Sequence, residues 1–163
     1  MTRTTLRTFV ASSCVIAAIA CGVEGGERAL LEGSVDACAL LAPEDVRSAL
    51  GAESLKIDKG VIPQTWASTC RWSAEGGEAF LSVVAHTKNG EQTFRALRYR
   101  LPDVRLRADL HSGAYQSGNK VFLFRRGVYV TLDSSAKSAT VDSLAKKLLA
   151  ALDELAKQQA VHR

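Results

Sequence analysis

Thr69 to Thr87 reads TCRWSAEGGEAFLSVVAHT. Cys70 and Trp72 stand two positions apart, which places both on one face of an extended strand. Beyond Glu75-Gly76-Gly77-Glu78, a short glycine turn, Leu81, Val83 and Ala85 line one face and Phe80, Val84 and His86 the other. Two such runs joined by a glycine turn predict a hairpin with strands over 69–74 and 79–87. The alternation puts the Trp72 indole beside Cys70 in a core, and a sheet with one apolar face needs a second layer to cover it.

The flanking sequence supplies that layer. Asp36 to Gly51 carries a helix signature: Pro43 suits the first helical position, Glu44 and Asp45 favour its positive end, and Gly51 can close it. Leu40, Leu41, Val46 and Leu50 are then the core positions. Ser54 to Ile62 is a weak strand candidate around Leu55 and Ile57, expected to end at Gly60 and Pro63. Asn89-Gly90 opens a helix over Glu91 to Leu101, with Phe94, Leu97 and Leu101 at helical spacing and Pro102 to stop it. Val104, Leu106, Ala108 and Leu110 alternate with Arg105, Arg107 and Asp109, the pattern of an edge strand or extended segment. Gly113 to Gly118 reads as turns. A second hairpin joins 119–124 to 128–133 through Arg125-Arg126-Gly127. A last helix, capped by Ser138 or Thr140, carries Val141, Leu144, Leu148, Leu152 and Leu155 in one stripe. The expected architecture is α+β: a mostly antiparallel, meandering sheet of about five strands with helices packed on one face.

Ahead of this domain the chain has another character. Met1 to Thr8 carries Arg3 and Arg7 without an acid, Phe9 to Ala20 is apolar, and Ala18-Ile19-Ala20 precedes Cys21. That is the layout of a secretory signal over 1–20, too short to cross a bilayer as a permanent helix. Ala18-Ile19-Ala20-Cys21 resembles the lipobox of bacterial lipoproteins, with Ala18 in place of the usual Leu. The resemblance implies that Cys21 takes a diacylglycerol thioether, is acylated (palmitate is a common chain) and becomes the first residue of the mature protein. Two or more acyl chains give stable anchoring. The alternative is an ordinary cleaved signal with a chance cysteine. Residues 21–35 read as a glycine-bearing acidic tether, 36–158 as a single domain and 159–163 as a frayed tail. The expected location is the cell envelope, facing the periplasm or the outside. Gly22 in place of Asp after the lipidated cysteine points to the outer membrane in an organism that has one.

Loss of Arg3 and Arg7 takes the formal net charge from +4 to +2, which implies no nucleic-acid partner. Cys14 leaves with the signal and Cys21 goes to the lipid, so Cys38 and Cys70 remain, in an oxidising compartment where two lone cysteines pair. A metal site or reactive thiol would need a CxxC or a nearby His, and neither is present.

Asp36-Ala37-Cys38-Ala39-Leu40-Leu41-Ala42-Pro43-Glu44-Asp45-Val46, then Leu50-Gly51, Cys70-Arg71-Trp72, Gly113-Ala114-Tyr115 and the Phe-Leu-Phe-Arg-Arg-Gly run resemble an uncharacterised family of bacterial envelope lipoproteins. Its pattern is D-x-C-x-L-L-T-P-E-E-V, then L-G, then C-x-W, after a lipobox. The likeness covers about residues 36 to 157. It implies a lipoprotein with a paired-cysteine core and carries no chemistry. Ala42 stands where the family has a Thr cap, a change that costs about 1 kcal/mol of helix stability.

Catalysis finds little support. A nucleophile needs a base within reach and an oxyanion donor, and there is no GxSxG elbow or SxxK frame. His86, His111 and His162 lack a second ligand at i+2 or i+4, and the glycine pairs lack the strand-loop-helix setting of a phosphate cradle. No cofactor or metal is implied. One asymmetry stands out: residues 95–126 concentrate Arg95, Arg98, Arg100, Arg105, Arg107, Lys120, Arg125 and Arg126 against only Asp103 and Asp109. This block is either a solvated face set against the acidic first half, or a patch that meets anionic lipid, an anionic envelope polymer or an acidic protein. Trp66, Tyr99, Tyr115 and Tyr129 could add contact surface, although aromatics at such spacings more often form core. The expectation is a non-catalytic, lipid-anchored binding module whose partner is an envelope protein or envelope component. The alternative is a carrier or sensor of a small apolar or anionic ligand held between the sheet and its helices.

Overall fold

The structure, a computed structural model, describes residues 35–101, 103–110 and 113–161. The expected signal, Cys21 and nearly all of the tether lie outside the described residues, as do Pro102, His111 and His162.

The hairpin forms as expected. Strands β2 (Ala67–Ala74) and β3 (Phe80–His86) pair antiparallel with Cys70 opposite Val83 and Trp72 opposite Leu81. All four side chains are buried, together with Ala85. Strand β1 (Leu55–Ile62) adds to the free side of β2 and runs through Gly60 instead of ending there. A Cβ at Gly60 would lie 2.7 Å from Thr69 Oγ1, so the glycine here permits a close approach within the ladder.

The sheet has seven strands, not about five. Strands β4 (Arg105–Leu106), β5 (Ala114–Ser117), β6 (Lys120–Arg125) and β7 (Val128–Ser134) complete it in the order β1-β2-β3-β7-β6-β5-β4, every neighbour antiparallel. Ala114 to Ser117 lies within the stretch read as turns. Four residues are too few to display an alternation, and β5 exists because β6 and β4 pair with its two sides. The sheet is therefore two meanders, β1-β2-β3 and β4-β5-β6-β7, closed by the pairing of β3 with β7.

That closure explains a second correction, because the helices do not share one face. To pass from β3 to the far edge the chain must cross the sheet, and helix α2 (Gly90–Arg100) makes the crossing over β6 and β7. Its Phe94 packs on Phe122 and Tyr129, with Leu97, Leu101, Tyr115 and Phe124 around them. On the opposite face, a 3-10 turn (Ala37–Ala39), helix α1 (Pro43–Leu50) and helix α3 (Ser138–Val161) cover Cys70, Trp72, Leu81, Val83, Val121, Leu123, Val130 and Leu132. Leu144, Leu148 and Leu152 provide the α3 stripe, each burying a side chain for roughly 1.5–3 kcal/mol. α3 continues through Val161, into the stretch read as a tail.

The Asp36–Gly51 region divides in two. Asp36 accepts a hydrogen bond from the Cys38 N–H at 2.8 Å and caps the 3-10 turn, and Pro43 starts α1 separately. Gly51 ends α1 in the left-handed conformation at φ 63°, and Ala42 offers no side-chain cap. Cys38 and Cys70 are joined by a disulfide, with Cα atoms 5.0 Å apart, which ties the 3-10 turn to β2.

Candidate binding surfaces

The eight clustered cations separate by strand parity and by helix. Arg125 and Arg126 stand at the β6–β7 turn and both reach α3: the two donate to Asp153 at 2.9 and 2.8 Å. With this paired donation from Arg125 as the larger cause, the Asp153 carboxyl is held below its ordinary range against a burial that opposes it. The turn needs the help. Arg126 and Gly127 both have positive φ, 54° and 78°, a conformation that suits Asn-Gly better than Arg-Gly.

Arg107 is also committed inward. Its guanidinium meets Asp109 at 2.7 Å and Asp142 at 3.0 Å, and donates to Gln116. These bonds, Asp109 first, raise its already high pKa, so it is a fixed cation. Lys120 lies 3.4 Å from Asp133 across the β6–β7 ladder. Four of the eight are thus used within the domain. Arg105, opposite Gln116, is exposed at the β4 edge, on the parity of Arg107.

The other three ride on α2, on the far face of the sheet. α2 is seated closely because Gly90 has no side chain: a Cβ there would meet Gly127 O at 2.6 Å and Tyr129 N at 2.9 Å. Phe94 then anchors it, with ring centroids 5.0 Å from Tyr115 and 5.5 Å from Phe124. With that side held, Arg95, Arg98, Tyr99 and Arg100 are left outside. Arg95 pairs with Glu91 one turn back. Arg98 places its guanidinium 4.7 Å from the Tyr99 ring centre and donates to the Tyr99 hydroxyl; that bond, followed by one to Tyr115, raises its pKa. Tyr99 is 76% exposed. Arg100 has no acid partner among the described residues.

The aromatics divide likewise. Tyr129 and Tyr115 belong to the cluster under α2, and the Tyr129 hydroxyl accepts a 2.8 Å bond from Thr131 Oγ1 while burial raises its pKa. His86 stacks on Tyr129 at 5.1 Å, and burial lowers its pKa, so the neutral ring is favoured. Trp66 instead stands 51% exposed at the β1–β2 turn with φ 47°. A bulky residue in the left-handed region costs of order 1 kcal/mol or more. The turn is held by Thr65 N–H to Ile62 O at 3.2 Å and by Thr87 Oγ1 donating to Trp66 O at 3.1 Å. The composition of 63–66 marks a turn, but no local signal says which of its residues takes the left-handed position.

Among the described residues no group of three or more His, Cys, Asp or Glu side chains is placed to hold a metal ion. No family model, curated protein or solved structure matches the chain.

Proposed function

We propose that this chain is a lipid-anchored protein of the bacterial cell envelope, tethered through Cys21, that works by binding and makes no bonds. Its working surface is the outer side of α2, where Arg98, Tyr99 and Arg100 present cationic and aromatic groups to an anionic envelope component or an acidic protein. The observation that carries this reading is the division of the cations: Arg107, Arg125 and Arg126 are turned onto carboxylates of the domain and Lys120 lies in an exposed pair with Asp133, while the α2 surface keeps an exposed tyrosine flanked by arginines. Exposed charge pairs contribute little to folding, so the α2 arginines are available for a partner at small cost to stability. Their attraction for an anion should weaken as salt rises.

The carrier alternative is disfavoured by the filling of the space under α2. Phe94, Tyr115, Phe122, Phe124 and Tyr129 occupy it with stacked and tilted rings.

The test is crosslinked capture from the protein's own membranes, comparing wild type with Arg98→Glu/Arg100→Glu and with Arg105→Glu. The partner should be lost from the α2 variant and kept by the Arg105 variant, which changes a cation on the other face. Capture that is equal in all three, or unchanged in 0.5 M salt, would sink the α2 reading. Acylation of Cys21 is read separately from the mass of the N-terminal peptide.

A further inference from the structure

The Trp66 turn has no part in that surface. Residues 63–66 close the β1–β2 hairpin, and the apolar side chains around them are exposed: Val61 and Ile62 at the end of β1, and the Trp66 indole itself. Val35, where the described chain enters the domain, lines a shallow groove with Val61 and Trp66. The entry is pinned there, because the Ala37 N–H donates to Ser68 Oγ at 2.9 Å and the Cys38–Cys70 disulfide follows. Lys59 lies in the same groove at 3.9 Å from Asp36, and Lys88 is exposed beside Thr87, whose hydroxyl holds the turn.

We infer that this tip, Trp66 with Val61 and Ile62, seats on the lipid–water interface of the bilayer and orients the domain with that end down. The inference rests on the reading of Cys21 as the lipid anchor. Cys21 and Val35 are fourteen positions apart in the sequence, so even a fully extended chain holds Val35 within about 50 Å of the membrane. The part of the domain tied closest to the bilayer is thus the part that carries its exposed indole. Tryptophan is favoured at that interface, where the ring is apolar and its N–H stays wet. Lys59 and Asp36 offset each other, which leaves the exposed Lys88 as the flanking cation toward an anionic lipid surface. A left-handed residue in a turn is ordinarily Gly or Asn, whereas here the turn is braced by Thr87 around a tryptophan that faces solvent.

The experiment is tryptophan quenching by bromine-labelled lipid. Acylated protein is reconstituted into phosphatidylethanolamine–phosphatidylglycerol vesicles with plain or brominated acyl chains; if processing leaves the protein unacylated, the released form is mixed with the same vesicles at millimolar lipid. The chain has two tryptophans and Trp72 is 1% exposed, so contact by Trp66 should remove up to about half of the emission. Trp66→Asn, which tolerates the left-handed turn, should abolish the quenching while the melting temperature is kept. Equal emission in plain and brominated vesicles from acylated protein overturns the docking and leaves the anchor intact. Quenching of unacylated protein upholds the docking and removes the anchor. If Trp66 is unquenched by brominated lipid yet shielded from aqueous acrylamide in native membranes, a protein covers it and the inference falls.

Discussion

Replacing Cys38 and Cys70 together by alanine should cost the domain a predictable amount, because the cross-link closes a loop of known length. The two residues are 32 apart in sequence. In the chain-entropy model a loop of that size restrains the unfolded chain by about 12 cal/mol/K, or about 3.7 kcal/mol at 25 °C. Cys70 is fully buried beside Trp72, and the space left by its sulfur adds about 1 kcal/mol. With an unfolding entropy near 2.1 cal/mol/K per residue over roughly 125 residues, a loss of 3.7 kcal/mol lowers Tm by about 14 °C. Urea unfolding of the two proteins separates the two contributions. The freed chain expands on unfolding, so its m-value should rise along with the loss of stability. A loss near 1 kcal/mol with an unchanged m-value would refute the loop argument and leave only the lost packing. The location of the bond adds a structural consequence. The 3-10 turn is attached to β2 mainly through this disulfide and the Ala37–Ser68 bond, so hydrogen exchange should rise first at positions 37 and 38 in the variant.

Three further outcomes follow from the packing and charge. Asp153→Asn should destabilise by about 1–2 kcal/mol at neutral pH by loosening both arginines of the β6–β7 turn. Since the folded pKa of Asp153 is depressed, its contribution is present above the ordinary value of 3.8 and lost as the pH falls through the folded one. The gap between the melts of the two proteins should therefore begin to narrow as the pH falls below 3.8, and a gap that stays constant through continued acidification would contradict the ion-pair account. His86 has a lowered pKa, so the unfolded chain binds its proton first and stability should decline as the pH drops below 6.5. His86→Phe, which keeps the ring against Tyr129, should flatten that slope, and an unaltered slope would place its origin elsewhere. Gly90→Ala should cost 2 kcal/mol or more, in the manner of overpacking, because the new methyl meets backbone atoms at Gly127 and Tyr129 that cannot rotate away. The near-ultraviolet signal of the aromatic cluster under α2 reports it; an unchanged signal and melt would mean that α2 is not seated by this contact.

What the sequence determined by itself is what local periodicity and short-range chemistry carry. The hairpin of Cys70, Trp72, Leu81, Val83 and Ala85 was legible because inward and outward positions alternate with period two whatever lies across from them. Pro43 and Gly51 bounded α1, and Leu144, Leu148 and Leu152 marked the α3 face, for equally local reasons. The pairing of Cys38 with Cys70 was open to counting. The strand partners were not, because pairing is decided between residues far apart in the chain. β5 has only four residues and owes its existence to neighbours on both sides. The charges from Arg95 to Arg126 formed one block along the sequence, yet tertiary structure divided them. The crossover from β3 to the far edge put α2 on one face, and α3 brought Asp142 and Asp153 to the arginines on the other. Sheet order and the choice of face cost nothing different in local conformation, so only the burial of both apolar faces at once selects among them, and that selection involves the whole chain.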